Sequence, residues 1–175
     1  MKREYYNGQG FWEEKDAPAT EEIVKKAQSK LGVTFPKEYI ELLKESNGGL
    51  LYFNKIDLDV FKKCVVPYLL GINLENTTDD EQGIFSFDED IKEYSLPEKI
   101  ILLAWETYPH SCFALDYTTS TENPTVVYFY ENYPEEHVPY SKTIVARTFK
   151  EFLPMLYRLP KLKPSQLKTS WKRKS

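Results

Sequence analysis

Side chains that commonly build metal centres and nucleophilic active sites are scarce in this sequence. Its 175 residues include only two cysteines, Cys64 and Cys112, and two histidines, His110 and His137. No C-x-x-C or H-x-x-x-H spacing relates them, as a zinc site would require, and His110 with Cys112 lacks a third group to orient a histidine base. Phosphate-binding loops, dinucleotide fingerprints and nucleophile elbows are also absent. The sequence therefore predicts a protein that is not an enzyme and holds no metal or cofactor.

A long apolar run is missing as well. Residues 64–74 form the longest stretch without charge, but they are too few to span a bilayer and include Pro67 and Gly71. The first ten residues are charged and polar, with no apolar segment of the kind that a secretory signal carries. We therefore expect a cytoplasmic protein with no membrane partner, in which Cys64 and Cys112 stay reduced as small core residues.

Aromatic and apolar residues, by contrast, are abundant. Hydrophobic residues make up 41% of the chain and aromatic residues 15%, with 13 tyrosines and 10 phenylalanines. This balance favours packed strands over disorder. A chain of this length is typical of one domain with a core of its own.

Charge is distributed unevenly along the chain. The formal net charge is −4, yet residues 161–175 hold six lysines and arginines and no acid, which leaves 17 bases against 27 acids, a net of −10, in residues 1–160. Such an acidic body repels nucleic acid and attracts basic partners over long range. The basic tail with Trp171 is typical of a solvated extension, although nucleic acid, a membrane surface and the chain's own acidic body are alternative contacts.

Residues 20–49 predict two consecutive amphipathic helices, around which the rest of the chain is organised. Thr20 is a suitable N-cap for the first helix and Gly32 a suitable C-cap. Pro36 is expected at the first position of the second helix, which ends at Asn47-Gly48-Gly49. Apolar residues recur at helical spacing in both segments: Ile23, Val24, Ala27 and Leu31, then Tyr39, Ile40, Leu42 and Leu43.

The remainder of the chain predicts short strands and a final helix. Residues 50–54 are expected to form a first strand, residues 65–73 a further extended segment, and Ser86 the start of a short helix. Thr148 begins a capping box for a C-terminal helix, which Pro154 should shorten, kink or restart. Four β-rich runs separated by turn-forming residues predict an antiparallel meander: residues 100–105, 112–117, 125–130 and 143–147.

The order of these signals resembles a known family. Trp12 precedes a Glu-rich helix that ends at Leu31-Gly32, and Phe35-Pro36-x-x-Tyr39 leads into Asn47-Gly48-Gly49. The pattern resembles the SUKH superfamily (Smi/Knr-like), which includes bacterial toxin-immunity proteins and the yeast cell-wall-synthesis regulator. Later segments also match in order: Leu96-Pro97, Ala114-Leu115-Asp116, Val126-Val127-Tyr128 and residues 146–153.

The resemblance implies an α+β fold. In it, the helix pair and the C-terminal helix pack on an antiparallel sheet of about five or six strands. It implies a SUKH-like domain over residues 12–159, preceded by a loose segment, residues 1–11, and followed by a basic extension, residues 160–175. Six residues of the matching motifs are expected to maintain the fold: Trp12, Pro36, Asn47, Gly48, Gly49 and Asp116.

The resemblance also implies a protein-binding function. The leading hypothesis is an immunity protein that binds and neutralises a cognate polymorphic toxin of the nuclease kind; the alternative is a regulatory or scaffolding module of the cell-wall-regulator type. An enzyme acting through the acidic residues 79–81 and 88–90 is a third reading, but their spacing matches no calcium loop. Candidate partner contacts lie in an acidic loop, Asp79, Asp80 and Glu81, and in an acidic, tyrosine-rich stretch, Tyr130, Glu131, Tyr133, Glu135, Glu136 and Tyr140.

Overall fold

The helix pair forms where the capping signals predict. In the computed structural model, which describes residues 10–74, 83–86, 91–92, 95–106, 111–130 and 140–159, helix α1 spans Glu21–Leu31 and helix α2 spans Lys37–Glu45. The Thr20 hydroxyl accepts a hydrogen bond from the N–H of Ile23, and Gly32 ends α1 with a φ of 66°. Pro36 precedes α2 as its N-cap instead of occupying the first helical position, because its ψ of 138° is extended.

The connection between the two helices is held by the end of the first. The side-chain oxygen of Gln28 accepts from the N–H of Phe35 at 2.7 Å, and its backbone carbonyl accepts from the N–H of Val33 at 3.1 Å. These bonds give partners to backbone groups that a helix end leaves unpaired. Each helix buries one face: Val24 and Ala27 in α1, and Tyr39, Leu42 and Leu43 in α2.

Four two-residue strands follow and form two ribbons. Strand β1 (Gly49–Leu50) pairs with β4 (Tyr68–Leu69), and β2 (Lys55–Ile56) pairs with β3 (Cys64–Val65), both antiparallel. The single strand expected over residues 50–54 is therefore replaced by two shorter ones. Pro67 lies between β3 and β4 and has no N–H to give to a ladder, which keeps these strands short.

The main sheet is a meander of four consecutive strands. These are β5 (Ile100–Glu106), β6 (Ser111–Asp116), β7 (Thr125–Tyr130) and β8 (Ser141–Ala146). Each is antiparallel to the next, in the order β5-β6-β7-β8, which confirms the predicted meander. Within the described residues the sheet has four strands instead of five or six, because β1 to β4 pair among themselves. A hydrogen bond of 2.8 Å from the N–H of Leu70 to the carbonyl of Leu103 connects the ribbons to the sheet.

The C-terminal helix is short, as Pro154 predicts. Helix α3 covers Phe149–Phe152 and passes into a 3₁₀ turn, Leu153–Met155, that contains this proline. The Thr148 hydroxyl caps α3 by accepting from the N–H of Glu151 at 3.2 Å. The apolar side chains of this segment, Phe149, Phe152, Leu153 and Leu156, are buried, whereas Leu159 is 43% exposed. Tyr157 then pairs with Lys55 of β2, so the chain returns to the ribbons.

Helices and sheet together make the α+β architecture that the sequence predicts. The rings of Tyr39 in α2 and Phe149 in α3 lie 5.4 Å apart, and Phe152 lies 6.1 Å from Phe113 of β6. Helix α3 therefore packs on the sheet face that carries Phe113, and α2 packs against α3. The helix expected near Ser86 falls partly outside the described residues, of which Ile91 and Lys92 are helical. None of the helices in the described part of the chain has the length and apolar character of a bilayer span.

Candidate functional site

The Asn47-Gly48-Gly49 motif at the end of α2 contacts Gly71 and Ile72, which lie more than twenty residues later in the chain. The side-chain amide of Asn47 donates to the carbonyl of Ile72 at 2.8 Å, and its oxygen accepts from the N–H of Ile72 at 2.7 Å. A Cβ at Gly71 would overlap the carbonyl oxygen of Asn47, so glycine is needed for this approach. The Asn47-Gly48-Gly49 turn therefore joins α2 to the segment after β4.

Trp12 covers the other side of the same turn. Trp12 is 7% exposed, and its backbone forms an antiparallel β-bridge with Leu51. A Cβ at Gly49, whose φ is 134°, would meet the carbonyl oxygen of Glu14 at 2.5 Å and the Trp12 ring at 3.3 Å. The buried hydroxyl of Ser46 accepts from the N–H of Asp16 at 2.8 Å and donates to the carbonyl of Gly48. Sequence reasoning missed Ser46, because a serine at a helix end carries no signal of such a contact.

Asp116 lies at the end of β6, where both of its carboxylate oxygens have partners. One accepts from the N–H and the hydroxyl of Thr118, at 2.9 and 2.6 Å, and the other from the ammonium of Lys142 at 3.0 Å. Burial raises the pKa of this carboxyl, but the bonds from Thr118 and Lys142 outweigh burial and hold its pKa below the usual range. An ionised, fully engaged carboxylate is a poor general base. Through these bonds Asp116 connects the turn after β6 to the edge strand β8.

Other buried titratable groups are equally unsuited to nucleophilic chemistry. Burial raises the pKa of the Cys112 thiol to about 12, which disfavours the reactive thiolate. It also raises the pKa of Tyr39, whose hydroxyl donates to the carbonyl of Leu70 at 3.0 Å. Among the residues that the structure describes, no group of three histidine, cysteine or acidic side chains is arranged to hold a metal ion.

The most distinctive surface feature is an aromatic patch, in which the exposed Val60 and Phe61 and the half-buried Tyr130 lie over the buried ring of Tyr128. Val60 is 45% exposed and Phe61 43% exposed, in the loop between β2 and β3. The Phe61 ring packs edge-on against Tyr130, with centroids 5.0 Å apart, and against Tyr128 at 6.1 Å. Tyr128 and Tyr130 stack on each other at 5.9 Å. Two segments separated by more than sixty residues thus build one apolar surface.

The loop that carries Phe61 is fastened by its own polar groups. One carboxylate oxygen of Asp57 accepts from the N–H of Lys63 at 2.9 Å and from the hydroxyl of Tyr157 at 2.8 Å. The N–H of Leu58 donates to the carbonyl of Phe61 at 2.7 Å, and the Lys62 ammonium donates to the carbonyl of Leu58 at 2.7 Å. Phe61 is therefore exposed on a loop with a defined conformation.

Beneath the patch, aromatic contacts continue into the core. Tyr128 packs on Phe113 with centroids 4.7 Å apart, and Phe113 packs on Phe152 at 6.1 Å. Phe152 touches Phe149 at 5.8 Å, and Phe149 touches Tyr39 of α2 at 5.4 Å. Edge-to-face and offset ring pairs of this kind add to the stability from burial alone. The patch therefore rests on a continuous series of aromatic contacts that reaches α2.

The predicted partner contacts are only partly visible. Tyr130 belongs to the aromatic patch, and Tyr140 is half-buried just before Ser141, which pairs with Tyr130 across β7 and β8. Sequence analysis did not single out Phe61, although the apolar pair Val60-Phe61 between charged residues is a usable signal. The remaining contacts fall outside the described residues: Asp79, Asp80, Glu81, Glu131, Tyr133, Glu135 and Glu136.

The structure is a small α+β domain with an exposed aromatic residue, Phe61, and with buried polar groups that hold its turns together. The family model SUKH_6, described as SMI1-KNR4 cell-wall, matches residues 21–153, more than half of the chain. The chain therefore belongs to the SUKH superfamily, whose members generally act through protein–protein interaction and not as enzymes. No curated protein matches the chain significantly.

Proposed function

We propose that the protein is an immunity protein, which neutralises a cognate polymorphic toxin by forming a stoichiometric complex in the cytoplasm. Membership of the SUKH superfamily supports this proposal. The observation that carries it is the combination of an acidic body, with a net charge of −10 over residues 1–160, and a rigid aromatic patch that includes Phe61. The first feature selects a basic partner, and the second can anchor it.

Physical reasons connect these features to a nuclease toxin. A nuclease must present positive charge to the phosphates of its substrate. An inhibitor of opposite charge is drawn toward that surface, which raises the association rate, mainly at low ionic strength. Aromatic side chains that are already ordered lose little conformational entropy on binding and are common among the residues that dominate affinity.

The interaction domain in this proposal is residues 12–159, with the basic residues 160–175 as an extension that is not needed for binding. The acids that sequence analysis selected, at positions 79–81, 131, 135 and 136, steer the toxin. Removing residues 160–175 is expected to leave the affinity within about threefold of the full chain. A larger loss would assign the extension to the binding surface.

A regulatory or scaffolding module is the second candidate, because the matching family model is described as SMI1-KNR4 cell-wall. In that case the partner is a protein of the cell's own signalling machinery, and no toxin is involved. The immunity function and the regulatory function predict different neighbouring genes. A neighbouring reading frame for a secreted protein with a C-terminal toxin domain favours immunity.

Co-expression tests the immunity proposal directly. The toxin domain encoded beside the gene is expressed with and without this chain, surviving colonies are counted, and the mass of the complex with an inactivated toxin is measured by light scattering. Rescue together with a one-to-one complex is the expected result. If both proteins are folded and neither rescue nor complex is found, the immunity proposal is wrong.

Charge reversal tests the steering. Glu135→Lys with Glu136→Lys should lower the association rate about tenfold at low salt and much less at high salt. The matched control is Glu98→Lys with Glu122→Lys, which reverses the same number of acids at two exposed positions. Equal effects of the two double variants would mean that only net charge matters and that the selected acids have no special part.

A further inference from the structure

The aromatic patch offers exposed ring surface in a fixed geometry. The rings of Phe61 and Tyr130 stand nearly perpendicular, at 86°, with centroids 5.0 Å apart, and Phe61 remains 43% exposed. The face of an aromatic ring attracts a cation, and the attraction strengthens when water is excluded from the contact. A ring held in place by its neighbours is better suited to this contact than one that must be ordered on binding.

The electrostatic setting of the patch favours a cationic side chain. The body of the protein carries a net charge of −10, and the exposed Asp59 lies two residues before Phe61. Two exposed lysines, Lys62 and Lys63, follow Phe61, and the Lys62 ammonium donates to the carbonyl of Leu58 at 2.7 Å. The charges of the loop itself balance, with Asp57 and Asp59 before the ring and two lysines after it, so the attraction for a cation comes from the acidic body as a whole.

Between the two basic side chains, arginine matches this surface better than lysine. Its planar guanidinium stacks on rings, is more weakly hydrated than an ammonium and can bond a carboxylate with two N–H groups at once. The chain contains such an arrangement elsewhere. The guanidinium carbon of Arg158 lies 4.4 Å from the ring centroid of Tyr52, while its two terminal nitrogens donate to the carboxylate of Glu13 at 3.0 and 3.2 Å.

We infer that the aromatic patch is the anchoring site for an arginine of the basic partner, which stacks on the exposed ring of Phe61 beside Tyr130. This inference rests on the proposed function, since it names the chemistry by which the toxin domain is held. The acidic loops then affect mainly how fast the complex forms. The patch affects mainly how long it lasts.

The test compares variants of the exposed ring in binding to the inactivated toxin domain, followed by surface plasmon resonance. Phe61→Ala should weaken affinity about thirtyfold, mainly through faster dissociation. Phe61→Leu keeps most of the apolar area but no ring, and should weaken it about tenfold. Tyr130→Phe keeps the ring and should remain within about twofold.

Ile144→Ala provides the matched control. Ile144 is a 65% exposed apolar residue of β8, and it pairs with Val127, so it lies on the sheet face opposite to Tyr128. Its truncation should leave affinity within about twofold. If the native protein forms the complex and Phe61→Ala binds within threefold of it, this inference is wrong and the immunity proposal still stands. An effect of Ile144→Ala as large as that of Phe61→Ala would also overturn it.

A second measurement applies if no toxin complex forms, in which case the immunity proposal has failed. Hexa-arginine and hexa-lysine peptides, which carry equal charge, are titrated into the native protein and Phe61→Ala with aromatic carbons labelled for NMR. Larger shifts of the Phe61 and Tyr130 ring signals with hexa-arginine, and loss of the Tyr130 shift in Phe61→Ala, support an arginine site. Equal shifts with both peptides, or no shifts, overturn it.

Discussion

Replacing Asn47 by alanine should destabilise the domain more than any loss of apolar contact at this position can explain. In the native structure the Asn47 side chain bonds both the N–H and the carbonyl of Ile72, at 2.7 and 2.8 Å. Ile72 is 3% exposed, so water has little access to these two backbone groups. Alanine removes both partners at once and leaves a buried donor and a buried acceptor unsatisfied.

The magnitude follows from the cost of each orphaned group. A buried polar group that loses its partner costs about 1–3 kcal/mol, so two such groups should lower the free energy of unfolding by roughly 3 kcal/mol after partial relaxation. For a chain of this size, about 2–4 °C of melting temperature is lost per kcal/mol, so Tm should fall by roughly 6–12 °C. This loss is a large part of a typical domain's stability of about 5–15 kcal/mol.

Urea unfolding followed by tryptophan fluorescence measures the change. The midpoint should fall while the slope stays the same, since the surface exposed on unfolding is unchanged. Asn123→Ala is the control, because Asn123 is exposed in the turn between β6 and β7, and it should stay within about 0.5 kcal/mol. A loss for Asn47→Ala no larger than that of the control would refute the idea that this side chain joins α2 to the segment after β4.

Further expectations concern two glycines, one carboxylate and one thiol. Gly71→Ala should prevent stable folding, because the added Cβ would overlap the Asn47 backbone. Gly32→Ala meets nothing within 4 Å of its Cβ and should lower the free energy of unfolding by only about 1 kcal/mol, because alanine disfavours positive φ. Thermal melts of the two variants distinguish these outcomes. Because the folded-state pKa of Asp116 is lowered, its stabilising effect is present above about pH 4 and is lost as pH falls through the folded-state pKa. Asp116→Asn should therefore flatten the acid side of a stability–pH curve, and an unchanged curve would rule out this linkage. The Cys112 thiol, buried and with a pKa of about 12, should react with a thiol reagent only when urea unfolds the chain, and rapid labelling of the native protein would contradict its placement in β6.

Local sequence by itself determined the elements whose causes are local. Helix α1 begins after Thr20 and ends at Gly32, because a hydroxyl can cap the start of a helix and a glycine can adopt positive φ at its end. Pro154 shortened the last helix because it lacks an N–H and crowds the preceding turn. Four β-rich runs separated by turn-forming residues were enough to predict the four-stranded meander. In each case the energy that decides the outcome lies within a few residues of chain.

Only the tertiary structure decided which distant residues meet. The pairing of Asn47 with Ile72, the bond from Lys142 to Asp116 and the contact of Phe61 with Tyr130 each join segments more than twenty residues apart. No periodicity or capping rule encodes such contacts, because they depend on how complete elements pack and on loop closure between them. For the same reason the acidic stretches were visible in the sequence, while the aromatic patch existed only after folding had brought the loop after β2 against the end of β7.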